Sequence, residues 1–422
     1  MSQSPEKPHL IFIATRVPYP PASGHYLRTL NILCGLAERY SVHFFAFRDK
    51  NSSSAEHELT KKVLGKFCAT IYVESVRTER SVIRLALDLL VSLVTLRPFT
   101  AVKYRSRTMH QAVSTAFVTH QIALAHADSL QSGQYIAGLS CPKLLTNHNV
   151  EHQRLFRYAA QRRSIVYKLA FRVQAWLTKR YERQVLNDIG NCVVVSAHDR
   201  IELQQLTPSV RFFVVPNGAD TSARPLPKAA PHGVTALWVG GMDDPFNREA
   251  VLYFAKRILP LIRARIPGFQ WHVVGRAAPP LLEALAGDPE SGVVLYGFVA
   301  TLRDAYERST IVVVPLLSGG GTKLKVLEAM AMGRAVVATP VGAEGIDVKD
   351  GVEMEVAVSA EAFVERASNL LLDPERRDRM ATAARSLVER EYSWESINRR
   401  MHSAVQSVIC SSQNSGLTPC AE

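Results

Sequence analysis

Short apolar, β-branched runs alternate with stretches of helical period along the whole chain, the pattern of parallel sheets wrapped by helices. Runs at 10–14, 42–47, 70–73, 122–125, 143–146, 192–195 and 212–215 predict strands in the first half, and runs at 236–239, 271–274, 293–296, 311–314, 335–338 and 353–356 in the second. Two doubly wound α/β domains follow. We place the first at 1–220 and the second at 234–395, joined at 221–233 by TSARPLPKAAPHG, which lacks an apolar period and reads as a linker. A helix over 396–410 is expected to pack back on the first domain, and residues 411–422 to form a disordered tail.

The stretch 311–340, IVVVPLLSGGGTKLKVLEAMAMGRAVVATP, carries the most chemistry. It reads as a buried strand, a triple-glycine turn (Gly319, Gly320, Gly321), a helix over 323–332 and a second buried strand. Backbone N–H groups at the start of such a helix point outward unpaired, and the helix dipole adds partial positive charge where a phosphate can sit. Lys325 and Glu328 are three apart and share a helix face. They form either a salt bridge or a cation for phosphate beside a carboxylate that accepts two ribose hydroxyls. Neither common nucleotide motif is present: Gly240-Gly241-Met242 is not GxGxxG, and the triple-glycine turn lacks P-loop spacing.

Ligands of open α/β sheets bind beyond the carboxyl ends of the strands. In the loop 15–25, Gly24 precedes a helix and either lets backbone approach a ligand or simply ends a Pro-rich connection. His148, in TNHNVE at 146–151, follows a strand directly; it is placed to bond a substrate hydroxyl or a leaving phosphate, or it merely packs. Between 154 and 183, nine basic residues (Arg154, Arg157, Arg162, Arg163, Lys168, Arg172, Lys179, Arg180, Arg183) accompany one acid, Glu182, while Ile165, Leu169, Val173 and Trp176 recur at helical spacing. This predicts a basic amphipathic helix, packed on a sheet with a solvated face or resting on an anionic membrane.

Composition narrows these options. The 422 residues carry fifty Lys and Arg against thirty-eight Asp and Glu, a net +12 that attracts nucleotides, phosphorylated acceptors or anionic lipid. Six scattered cysteines without CxxC pairs or His-rich neighbours argue against a zinc site and a disulfide scaffold, and fit a reducing cytoplasm. The amino terminus has no signal-peptide pattern, and the apolar stretch 83–96, with Arg84 and Asp88, is too short and charged to span a bilayer.

Taken in order, LLTNHNVE (144–151), VVVSAHD (193–199), VVPNGAD (214–220), WVGGMD (238–243), VVGR (273–276) and VPLLSGGGTKLKVLEAMAMGRAVVATPVGAEG resemble the retaining nucleotide-sugar glycosyltransferases of family 4, the group 1 glycosyl transferases. The resemblance implies the GT-B fold: two Rossmann-like doubly wound parallel-sheet domains facing across a cleft. It implies that Glu328 holds the donor's ribose, that Lys325 supplies charge, and that Gly320, Gly321, Thr322, Lys323 and Leu324 cradle the diphosphate. Gly24 faces the same diphosphate, His148 lies near the transferred sugar, Gly240 and Gly241 line the donor pocket, and Arg248 and Arg276 are further candidates for phosphate charge. The first Glu of the family's E-x7-E motif is replaced by Gly320.

The implied activity is metal-independent transfer of a sugar from a nucleoside diphosphate to an acceptor hydroxyl, in surface polysaccharide or glycolipid synthesis. No cofactor and no nucleic-acid partner is expected. The expected partners are the donor, a glycan or lipid-linked acceptor, and an anionic membrane touched by the basic helix of a cytoplasmic, peripheral protein. A nucleotide-sugar binder without turnover and a GT-B epimerase stay open as alternatives, while a dehydrogenase is disfavoured for want of GxGxxG.

Overall fold

A computed structural model describes residues 7–21, 24–49, 53–76, 82–161, 164–222, 225–228, 233–299 and 301–414. The chain divides into two compact units, Met1–Val215 with Asn398–Glu422, and Pro216–Ile397.

The first unit runs β1 (His9–Ala14), α1 (Gly24–Arg39), β2 (Ser41–Asp49), α2 (Ser54–Leu64), β3 (Cys68–Val76), α3 (Val82–Thr95), α4 (Phe99–Lys103), α5 (Arg107–Thr119), β4 (Ile122–Ala127), β5 (Lys143–Asn147), α6 (Glu151–Gln161), α7 (Ile165–Ile189), β6 (Asn191–Val194), α8 (Ala197–Leu206) and β7 (Arg211–Val214). Its strands pair in parallel in the order β3-β2-β1-β4-β5-β6-β7. The direction of winding reverses between β1 and β4.

The second unit runs β8 (Thr235–Val239), α9 (Pro245–Tyr253), α10 (Leu259–Arg265), β9 (Gln270–Val274), α11 (Pro280–Ala286), β10 (Val293–Gly297), α12 (Arg303–Glu307), β11 (Ile311–Val314), α13 (Leu324–Ala331), β12 (Ala335–Ala338), α14 (Pro340–Ala343), β13 (Glu355–Val356), α15 (Ala360–Leu372) and α16 (Pro374–Leu387). The parallel order is β10-β9-β8-β11-β12-β13, and winding reverses between β8 and β11. The chain ends its described part in α17 (Trp394–Asn414).

Every strand read from the apolar runs is present, with bounds within three residues at each end. The central ones are legible because burial on both faces writes a continuous apolar run; β11 and β12 are buried at every position. Three expectations change. The stretch 221–233 is no free linker in its described part, since Leu226 is buried in the core of the second unit and donates its N–H to Met332 O (3.1 Å); residues 223–224 and 229–232 lie outside the described residues. The basic stretch 154–183 is two helices, α6 and α7, with Arg162 and Arg163 outside the described residues. Residues 411–414 belong to α17, and 415–422 lie outside. Among the described residues no helix is long and apolar enough to cross a membrane.

Candidate functional site

In the second unit both glycine turns leave the sheet at its switch point, one after β8 and one after β11, where such folds place ligands. Gly240 adopts φ +153°, and a side chain on it would stand 2.7 Å from Lys325 Nζ. Glycine therefore makes room for the lysine. Lys325 Nζ donates to Asn247 Oδ1 (2.9 Å) and lies 3.8 Å from the centre of the Trp238 ring. Asn247 Nδ2 in turn donates to Gly241 O (2.8 Å), and Asp244 caps α9 by accepting from the N–H groups of Phe246 and Asn247. Behind this turn Gly275, also at φ +153°, packs so closely that a Cβ would meet Gly240 O at 2.1 Å.

After β11 the triple-glycine turn uses left-handed φ at Gly319 (+141°) and Gly321 (+68°). Lys323 Nζ folds back onto the carbonyls of Gly320 (2.9 Å) and Gly321 (2.7 Å), with Glu344 3.6 Å away. Thr322 is buried; its hydroxyl donates to Gly345 O (3.3 Å) and its carbonyl accepts from Asn217 Nδ2 (3.1 Å). The turn is thus held rigid. Lys323 is the N-cap of α13 but its side chain does not cap the helix, and the first N–H groups of such a helix end are donors for an anion. Leu324 and Lys325 open that helix, with Glu328 one turn further on.

Burial disfavours charge on both side chains of this helix face. It pulls Lys325 down to about 7 against the attraction of Asp244, and pushes Glu328 up to about 7 despite Lys325. Among the described residues, the side chains of the other candidate cations form no hydrogen bond or ion pair with Lys325 or Glu328, though Arg276 lies against the turn, its carbonyl accepting from Met242 N (2.9 Å). Arg248 is exposed on α9, where its neighbour Asn247 makes the contact with Lys325, and the exposed Arg276 forms a forked pair with Asp243 (3.1 and 2.9 Å). At Gly320 the turn has no carboxylate of its own, yet Ser318 Oγ donates to Glu249 Oε2 (2.5 Å), bringing an acid from α9 to it.

In the first unit His148 follows β5 and meets the start of α1. Its Nε2–H donates to Asp128 O (2.7 Å) and lies 3.4 Å from Asp128 Oδ1. The ring of His25, next to Gly24, meets His148 edge to face with centroids 4.3 Å apart. Asp128 follows β4 and is buried; Thr29 of α1 donates to its Oδ2 (2.5 Å). Burial opposes ionisation of Asp128, but His148 beside it holds the carboxyl well below the usual range. Burial and His148 pull His25 down to about 3, so it is neutral at pH 7. Ligand atoms of His25, Asp128 and His148 lie within 4.8 Å of one another, a grouping able to hold a metal once His148 Nε2 gives up its proton to leave a lone pair.

Glu182, the lone acid of the basic stretch, is fully buried and anchors the β5–α6 connection. It accepts from Asn147 Nδ2 (2.7 Å), Glu151 N (3.2 Å) and His152 Nδ1 (2.6 Å).

Residues 233–373 match the family model described as Glycosyl transferases group 1. The match lies within the second unit. The chain is 34% identical over 143 residues to the phosphatidyl-myo-inositol mannosyltransferase of Mycolicibacterium smegmatis, covering 32% of this chain and 36% of the relative. It spans less than half the length of that relative and of an uncharacterised Klebsiella pneumoniae protein of a cps region. In structure it resembles sucrose-phosphate synthase from Thermosynechococcus elongatus (TM-score 0.66, 18% identity, 96% of this chain and 100% of that one). It also resembles Anabaena HepE in complex with UDP and glucose (TM-score 0.63, 15% identity, 94% and 99%). Both units thus have the α/β fold of GT-B proteins.

Asn247, Trp238, Asp128 and Glu182 were not singled out as site residues from the sequence. Asp128 was within reach, because it follows a strand just as His148 does; Asn247 and Trp238 act only through Lys325, which no spacing reveals.

Proposed function

We propose that the chain is a retaining glycosyltransferase that moves a sugar from a nucleoside diphosphate sugar to an acceptor hydroxyl in polysaccharide or glycolipid synthesis. The observation that carries this is the meeting of Lys325, the uncapped end of α13 and the glycine turn after β8 at one switch point. The leaving diphosphate gains negative charge as the sugar bond breaks, and a preorganised cation with backbone N–H groups stabilises that charge most in the transition state. Glu328 accepts the ribose hydroxyls. In the first unit His148, oriented by Asp128, bonds the transferred sugar. The names of the curated relative and of the UDP-bound neighbour support the reading.

Its test is nucleoside diphosphate release from UDP-, GDP-, ADP- and TDP-sugars, with and without a lipid-linked or oligosaccharide acceptor. Release that depends on acceptor supports transfer; an epimerised sugar without acceptor, or binding without turnover, supports the alternatives.

A membrane surface is the proposed place of action. Ile165, Leu169 and Trp176 of α7 are 81%, 62% and 54% exposed, and Leu90 and Val94 of α3 are 57% and 76% exposed. Gln174 joins these helices through Ser92 Oγ (3.1 Å), and Arg172, Lys179 and Arg180 stand exposed on α7. Apolar side chains beside exposed cations suit an anionic bilayer. Flotation with phosphatidylglycerol vesicles, but not phosphatidylcholine vesicles, is expected, and Leu169→Asp with Trp176→Asp should abolish it.

A further inference from the structure

Three histidines distant in sequence meet at the amino-terminal edge of the first sheet. His9 opens β1, His43 is the third residue of β2, and His120 is the C-cap of α5 just before β4. Strands β2, β1 and β4 are neighbours, so the group sits at the sheet end opposite Asp128 and His148. Ile11 pairs with His43, and side chains two apart in a strand share a face, so His9 and His43 project to the same side. His9 Nδ1 lies 2.9 Å from His43 Nε2, and the His120 ring centroid is 4.8 Å from that of His9 and 4.2 Å from that of His43. One ligand nitrogen from each lies within 4.8 Å of the other two.

We propose that His9, His43 and His120 form a structural site for a divalent transition-metal ion of the zinc class. Histidine nitrogens bound at about 2.0–2.1 Å to one tetrahedral ion stand roughly 3.3 Å apart; His9 Nδ1 and His43 Nε2, 2.9 Å apart and sharing a hydrogen bond, need to part slightly and release the shared proton to admit it. His43 is buried and its Nδ1 is 2.9 Å from Thr70 Oγ1. With Nδ1–H donating to that hydroxyl, Nε2 carries the lone pair and is aimed at the other two rings, the kind of outer partner that orients metal-bound histidines. His120 now stacks on its neighbours at 25–26°, and ligation turns its ring about the side-chain torsions while solvent fills the fourth position.

A bound ion would tie the end of α5 to β1 and β2, beneath the core that contains Ile11, Phe45, Met109 and Val113. The site needs nothing from the proposed transfer chemistry.

The test is calorimetric titration of the chelator-stripped full chain with zinc chloride, followed by melting temperature and by the visible absorption of the cobalt(II) form. One equivalent is expected to bind at micromolar concentration or tighter and to raise the melting temperature, because the ion binds only the folded chain. His120→Ala and His9→Ala should each weaken binding at least tenfold and lose the cobalt spectrum, with the metal-free melting temperature little changed; if one does not fold, the other decides. His148→Ala should keep the equivalent. Absence of saturable binding, undiminished binding in both variants, or loss of binding in His148→Ala would overturn the proposal.

Discussion

Lys325 Nζ is held between the face of Trp238, 3.8 Å away, and Asn247 Oδ1, 2.9 Å away. Both contacts favour the protonated amine and fix its direction. A partly desolvated cation–π contact is worth up to about 2 kcal/mol, and a hydrogen bond to a charged group about 1.5–3 kcal/mol. Asn247→Ala is therefore expected to lower kcat/KM about tenfold while shifting the melting temperature by no more than a few degrees. Steady-state kinetics on the active donor checks this, and unchanged kcat/KM would remove Asn247 from the site.

The same helix face has a pH signature. Glu328 is raised from 4.5 to about 7, so between those values the folded chain holds a proton that the unfolded chain releases, and stability falls as pH rises. Lys325 is lowered from 10.5 to about 7, so above pH 7 the unfolded chain holds the extra proton and stability climbs again. Melting temperature plotted against pH should lose the acid-side slope in Glu328→Gln and the alkaline-side slope in Lys325→Met, relative to the parent.

Gly275→Ala tests the packing behind the glycine turn that follows β8. The added methyl would overlap the Gly240 carbonyl and force a strained φ, and backbone cannot yield as a side-chain tip can. A drop in melting temperature of several degrees and loss of binding of whichever panel nucleotide the parent binds are expected, read by thermal shift and calorimetry.

Glu182 should matter more to fold than its place among basic residues suggests. Removing one partner from a buried charged network costs about 3–5 kcal/mol, so Glu182→Ala should unfold the first unit's β5–α6 connection at markedly lower denaturant, while Glu182→Gln keeps part of the bonding. Chemical denaturation distinguishes the two.

The strands and the 311–340 unit were legible because buried parallel strands write continuous apolar runs, and glycine turns follow them in sequence. Gly320, Lys325 and Glu328 could be named for the same reason. What joins residues far apart could not be read: Asn247 reaches Lys325, Glu249 reaches the turn at Ser318, and His9, His43 and His120 meet, through sheet order rather than local spacing. The stretch 154–183 misled because its period continues past residues 162–163, while its acid, Glu182, faces inward.

In the proposed function, the α13 face binds and works on a nucleoside diphosphate sugar. Its most direct test is turnover and donor-induced thermal shift in Glu328→Gln against the parent, across the UDP-, GDP-, ADP- and TDP-sugar panel. One donor should raise the parent's melting temperature and turn over, and Glu328→Gln should fold normally while losing most of both responses. Full activity in the folded variant, or a parent that no donor stabilises at saturation, would contradict the account.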